Sequence, residues 1–146
     1  MFFLKDLPST DMVEGYAERF DNVIPDRVVG ALKLMREASL LIRKLEAYFA
    51  SHDLSQLRFL TLILIDREPG RNGLRASEIA DRLDVSRPVT TRTLQRLEEA
   101  DLLSSKQDPE DARSRMLYLT PAGREKLEAL LPGYFAILNQ AMKAER

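Results

Sequence analysis

The chain has 146 residues, 45% of them hydrophobic and 31% charged, with a net charge of -1. That is enough apolar mass for one domain with a core, or for a small domain with an extension whose apolar faces need a partner. There is no cysteine, which excludes disulfides, thiolate catalysis and cysteine-ligated zinc, and the single histidine, His52, is too few for a histidine metal site within one chain.

The apolar start MFFL is closed by Lys5 and Asp6, too early for a signal-peptide core. The longest apolar run, 57–65, contains Arg58 and is too short to span a bilayer. The expectation is a soluble cytoplasmic protein with no membrane partner and no cofactor. Residues 12–20 suit a short helix. Pro25-Asp26 then starts a long amphipathic one, in which Val28, Leu32, Met35, Ala38, Ile42, Leu45 and Phe49 recur at three- and four-residue steps to an end near Ser51. His52 follows, as a helix-end or surface group or, alternatively, as an effector or pH-sensing one. Residues 55–66 are apolar nearly all round, which predicts a buried helix, stopped by the turn signals of EPGRNG.

The next stretch, RASEIADRLDVSRPVTTRTLQRLEEADLL, predicts two helices separated by Asp84-Val85-Ser86. Ser86 is a good N-cap for the second, and Pro88 is tolerated in its first turn. On a wheel of about 100° per residue, Val89, Thr90, Thr93, Leu94, Leu97 and Ala100 share one side. Pro88, Thr91, Arg92 and Gln95 share the other, with Arg87 and Arg96 at its borders. From 86 to 96 there are three arginines and no acid, while Glu98, Glu99 and Asp101 follow directly. The near-neutral total does not announce a nucleic-acid binder, yet the basic charge is concentrated on one helix. A short helix, a tight turn and a second helix with such an outer face is the pattern of a helix-turn-helix.

After Asp101 the period becomes strand-like. Leu102-Leu103 opens one extended segment, Arg115-Met116-Leu117-Tyr118-Leu119 alternates as a second, and DPEDARS lies between them as a hairpin loop. Asp111 and Arg115, by pairing with each other or with neighbours, are expected to shape the loop, and Arg113 to be presented by it. Thr120-Pro121 opens a last helix. Pro132-Gly133 is expected to break or kink it, after which Phe135, Leu138 and Met142 are spaced for one face, read as interface.

With these residues in view, the chain resembles the MarR family of winged helix-turn-helix regulators. The resemblance runs over LRASEIADRLDVSRPVTTRTLQRLEEADLL and DPEDARSRMLYLTPAGREKL, with Asp111, Arg113 and Ser114 matching the wing motif and Leu119, Thr120 and Gly123 its exit. The family often has threonine where Arg75 stands, glycine where Asp84 and Asp101 stand, and an arginine pair in the wing where this chain has Ala112 beside Arg113. Aspartate at the two turn positions tolerates left-handed backbone better than most residues.

The resemblance implies a mainly α fold with a small β-hairpin wing: a winged helix-turn-helix over 54–120, with a helical dimerisation region from 1–53 and 121–146. It implies a homodimeric, sequence-specific regulator of transcription, a repressor in most of the family. Such a dimer binds double-stranded DNA at a pseudopalindromic operator and is open to release by a small aromatic or phenolic effector. The DNA-contacting set expected is Ser86, Arg87, Pro88, Thr91, Arg92, Gln95, Arg96, Arg113 and Arg115, with Arg92 the one that matches a base-contacting arginine of the family. A winged-helix module that binds protein through the same face is the alternative. No catalytic constellation, phosphate-binding glycine loop or metal-spaced cluster can be assembled, so an enzyme is not expected.

Overall fold

A computed structural model of the protein describes residues 1–143. In chain order it has α1 (Thr10–Ala17), α2 (Pro25–Ala50), α3 (Gln56–Asp66), β1 (Gly73–Arg75), α4 (Ala76–Arg82), α5 (Arg87–Glu99), β2 (Leu103–Gln107), β3 (Arg115–Leu119) and α6 (Pro121–Lys143). The chain divides inside α2 into two compact units, Met1–Leu45 and Glu46 onward.

In the first unit Ser9 caps α1, its hydroxyl accepting the Met12 amide at 3.3 Å. The N-terminal segment is tied to α2 by Arg36 and Arg43, which donate to the carbonyls of Leu4 and Phe2 at 2.7 and 3.3 Å. The apolar stripe expected on α2 is covered unevenly. Val28, Met35 and Ile42 are 37%, 48% and 45% exposed, whereas Leu45 and Phe49, further along the same helix, are buried.

The second unit is built round α3, whose Phe59, Leu62 and Ile65 are buried. Phe49 stacks on Phe59 at 4.5 Å, and Tyr134 of α6 lies 4.8 Å from Phe59. Three antiparallel strands in the order β1-β3-β2 form the sheet, with Leu74 opposite Leu117 and Leu103 opposite Leu119. Leu74, Leu103 and Leu117 therefore share an inner face and are buried, while Arg75, Met116, Tyr118, Ser104 and Lys106 share the outer one. The strand β1 adds to the hairpin expected from the sequence. Three residues with one apolar side chain carry no alternation to detect, and only pairing with β3 makes them a strand.

Two junctions hold the helix-turn-helix to the sheet. At the end of α5, Asp101 adopts a left-handed conformation (φ 57°), and the Leu102 amide reaches back to the Leu97 carbonyl at 2.9 Å. Asp84 shows no positive φ: α4 ends with Leu83 already extended (φ -96°, ψ 137°), so no left-handed cap is needed there. At the exit of β3, the Thr120 hydroxyl donates to the Asp101 carbonyl at 2.6 Å and accepts the Gly123 amide at 2.9 Å. Gly123 is buried against the Leu102 carbonyl, in space a Cβ would fill.

Of the break or kink expected at Pro132-Gly133, the break is absent: α6 runs through both residues. Proline removes one helical N–H and crowds the carbonyl four residues back. Here Pro132 and Glu128 both lie on the exposed side, while buried Leu127 and Leu130 hold the other side. Gly133 leaves room for Tyr48, whose hydroxyl donates to the Leu130 carbonyl at 2.8 Å.

Because the atom facing Gly123 is backbone, it cannot swing aside. Gly123→Ala is expected to destabilise the protein by about 3 kcal/mol, the upper end of overpacking costs, measured by urea unfolding. The Ala variant of the exposed Gly30, which has open space around it, should unfold no earlier than the parent.

Candidate nucleic-acid interface

The orientation of α5 follows from its buried edge. Thr90, Thr93, Leu94 and Leu97 are buried and Val89 is half-buried; Ala100, expected on the same side, is exposed because the helix ends there. The two buried threonines return their hydroxyls to their own helix, Thr90 to the Ser86 carbonyl at 3.3 Å and Thr93 to the Val89 carbonyl at 2.8 Å. No polar group is left unsatisfied by this burial. The opposite face carries Arg87, Pro88, Thr91, Arg92, Gln95 and Arg96, all exposed.

These side chains are not equally free. Ser86 caps the helix, accepting the Val89 amide at 3.4 Å, and the Thr91 hydroxyl donates to the Arg87 carbonyl at 3.0 Å. Arg87 lies 3.4 Å from Asp81, but both side chains are about 70% exposed, and a pair so open to water holds its partner weakly. Among the described residues Arg92, Arg96 and Arg113 enter no ion pair.

The wing is a loop with its own scaffold. The Asp108 amide donates to the Ser114 carbonyl at 2.9 Å, and the Gln107 side chain closes on the Ala112 carbonyl at 2.9 Å. Asp111 accepts the Arg113 amide at 3.0 Å and the Ser114 hydroxyl at 3.3 Å, so its carboxylate folds the tip and leaves the Arg113 side chain outward and exposed. Arg115 does not pair with Asp111. Its guanidinium donates to Glu98 of α5 at 2.6 Å and to the Ser105 hydroxyl.

Several further groups were not singled out in the sequence. Asp108 is only 5% exposed; one carboxylate oxygen accepts the Glu110 amide at 2.9 Å and the other the Arg75 Nε at 2.6 Å. Those two contacts, in that order, hold its carboxyl below the usual range. Arg75 is also the residue that caps α4. Its side chain cannot accept a hydrogen bond, but its amide donates to Glu78 at 2.8 Å, which is half of a capping box. Glu78 is gripped by Arg71 through two bonds of 2.8 and 2.9 Å, and Glu68 takes Arg82 at 2.6 Å. The sequence offered charges of both signs here, but pairs 7 to 35 positions apart have no periodic signal.

His52 lies past the end of α2, exposed, with Nδ1 2.9 Å from the Tyr48 carbonyl, a distance at which an Nδ1–H donates, and its ring 4.9 Å from Tyr48. No group of metal-binding side chains is found among the described residues, nor a helix long and apolar enough to cross a membrane.

A short helix, a tight turn, a second helix with an exposed basic face, and a two-stranded wing beside it define a winged helix-turn-helix protein. Comparison with known proteins carries this further. Residues 52–114, which contain α4, α5 and the wing loop, match the MarR family. The HTH-type transcriptional repressor YetL of Bacillus subtilis is 29% identical over 141 residues, covering 96% of this chain and 83% of that protein. Among solved structures, AbsC of Streptomyces coelicolor, a MarR family transcriptional regulator, superposes with a TM-score of 0.72 at 17% identity, over 98% of this chain and 85% of AbsC. Sco3205 of the same organism, a MarR family regulator solved in complex with DNA, gives a TM-score of 0.77 at 22% identity, over 84% of this chain and 77% of its own. The chain is thus similar to the MarR family over residues 52–114 and shares its fold with MarR family regulators over most of its length.

The hydrogen bonds from Arg71, and then from the Arg75 amide, lower the Glu78 pKa from 4.5 to about 2. A depressed carboxylate contributes stability that is present above its unfolded pKa and is lost as pH falls through the folded one. Glu78→Gln should therefore be less stable than the parent at pH 6, with the gap closing between about pH 4.5 and 2. Denaturant unfolding of both proteins across that range measures it, and a gap independent of pH would show that the charge of Glu78 is not what stabilises.

Proposed function

We propose that the protein is a cytoplasmic homodimer that binds a pseudopalindromic operator and represses transcription. The observation that carries this reading is the outer face of α5, where Arg92, Gln95 and Arg96 stand exposed, ahead of any acid, beside a wing that presents Arg113. The α5 helix enters the major groove, where the Arg92 guanidinium meets a guanine edge with two hydrogen bonds. Gln95 and Thr91 flank it, Arg87, Pro88 and Ser86 lie against the backbone at the helix N-terminus, and Arg96 takes a phosphate. Arg113 inserts in the adjacent minor groove, whose narrow stretches concentrate negative potential. Arg115, engaged by Glu98, holds the wing and leaves the groove to Arg113.

A dimer supplies the symmetry. Residues 1–53 and 121–146 are assigned to dimerisation and 54–120 to DNA. Each dimerisation segment, taken by itself, bears large apolar side chains open to solvent: Met12, Tyr16, Phe20, Leu34 and Met35 in one, Phe135 and Met142 in the other. Monomeric proteins rarely leave such patches uncovered. Two copies related by a two-fold axis place their α5 helices in half-sites one turn of DNA apart, roughly 34–36 Å. A small aromatic effector that prefers one spacing of the two reading heads shifts the equilibrium by its differential affinity. YetL is a repressor and Sco3205 was solved with DNA, and both support the reading.

Selection from a random DNA pool should return a pseudopalindrome. Enrichment of no sequence, with binding insensitive to salt, would favour a protein-binding module instead, since phosphate contacts make affinity fall steeply with salt. Arg92→Ala should weaken binding by about 1–3 kcal/mol and flatten preference at one base position per half-site. Arg113→Ala should weaken binding to most sequences alike and lower the salt dependence by up to about one counterion per subunit. Titrations against salt and single-base operator variants separate the two; if Arg113→Ala alone erased preference at a half-site centre, the reading elements would be exchanged. Removal of 132–146 should give monomer or aggregate in sedimentation equilibrium, and a stable dimer of unchanged DNA affinity would move the interface elsewhere.

A further inference from the structure

Arg75 stands at a meeting point that its place in the sequence does not suggest. It is the last residue of β1 and the residue before α4, and it lies on the outer face of the sheet opposite Met116. From there its Nε reaches Asp108, 33 positions on, at 2.6 Å, and its terminal nitrogen lies 3.5 Å from Glu110. Asp108 is the hub of the wing loop. Its amide bonds the Ser114 carbonyl, its own carbonyl accepts the Asp111 amide at 3.3 Å, and its second carboxylate oxygen accepts the Glu110 amide.

Each of these bonds leads to the turn that presents Arg113, because Asp111 accepts the Arg113 amide. On the other side, the Arg75 amide is bonded to Glu78, and Glu78 to Arg71. The chain of contacts thus runs from the first turn of α4, through one buried carboxylate, to the wing tip. A bare two-stranded hairpin is marginal in water and free to bend at its base. This one is gripped on both faces: by Arg75 on the outer face, and by Glu98 of α5 through Arg115 on the inner.

We propose that Arg75 is a positioning residue for DNA binding: by clamping Asp108 it fixes the wing against α4, and so sets where Arg113 stands relative to the recognition helix. The inference rests on the reading that the wing contacts DNA through Arg113. It gives the arginine a role distinct from helix capping, which its side chain cannot perform. A threonine here would cap α4 and complete the capping box with Glu78, but could not reach Asp108. Arginine at this position forgoes a side-chain cap and makes the Asp108 contact instead.

That exchange supplies the test. Arg75→Thr gains an N-cap but leaves the Asp108 carboxylate without its cation, so it should remain folded and unfold at or below the parent's temperature, while binding the selected operator roughly three- to tenfold more weakly. The loss should be coupled to Arg113: combined with Arg113→Ala, the Thr variant should bind no more weakly than Arg113→Ala alone. Preference at the base position read by Arg92 should persist. Asp108→Asn, which keeps an acceptor for the Glu110 amide and removes the charge facing Arg75, should show the same coupling and so guards against an effect of fold. Wild-type binding by Arg75→Thr, or losses that simply add to those of Arg113→Ala, would overturn the proposal; additive losses with a reduced salt slope would make Arg75 a phosphate contact instead. If Arg113→Ala itself binds like the parent at every salt concentration, the wing reading has failed, and the clamp has nothing to position.

Discussion

Everything the outer face of α5 offers depends on how its inner edge is held. Thr90, Thr93, Leu94 and Leu97 are buried, and a helix fixed along these positions cannot rotate without exposing Leu94 or Leu97. Burying a Leu is worth about 1.5–3 kcal/mol, so a rotation that exposes either leucine is opposed by a sizeable part of a domain's margin. The rigid edge is what holds the exposed residues of α5 as a fixed set on one face.

The charge distribution obeys a second rule, in which the acids are spent on structure. Glu68, Glu78, Glu98, Asp66 and Asp108 each hold an arginine that braces the scaffold: Arg82, Arg71, Arg115, Arg124 and Arg75. Arg92, Arg96 and Arg113 are among the cations that enter no ion pair among the described residues, and they stand on α5 and the wing. A chain with a net charge of -1 can therefore present a basic surface without a basic composition. Most of these pairs are partly exposed and individually weak. Asp108 differs because it is buried and fully bonded, so removing its partner would strand a charge out of water.

The two ends of the described chain are built on another balance. In α2 the burial of Leu45 and Phe49 contrasts with the exposure of Val28, Met35 and Ile42, so one continuous apolar periodicity is used in two ways. Part of it serves the core of a single chain, and the remainder stands exposed to solvent.

The amino-acid sequence by itself determined the helices, the turn between α4 and α5, the outward face of α5 and the hairpin, because each is written in neighbours within a turn or two: the 3.6-residue period, Ser86 before Pro88, the strand alternation after Asp101. It also marked Gly123, though not its reason, which is the Leu102 carbonyl pressed against it. What only the tertiary structure decided are contacts between residues far apart in sequence. These are the pairing that makes β1 a strand, the burial of Asp108 by Arg75, the choice of Glu98 rather than Asp111 as partner for Arg115, and the passage of α6 through Pro132 with Tyr48 beside it. A local pattern records the face a residue shows, since faces follow from backbone geometry. It holds no record of which distant charge will arrive opposite, because that depends on how the sheet and helices close on one another.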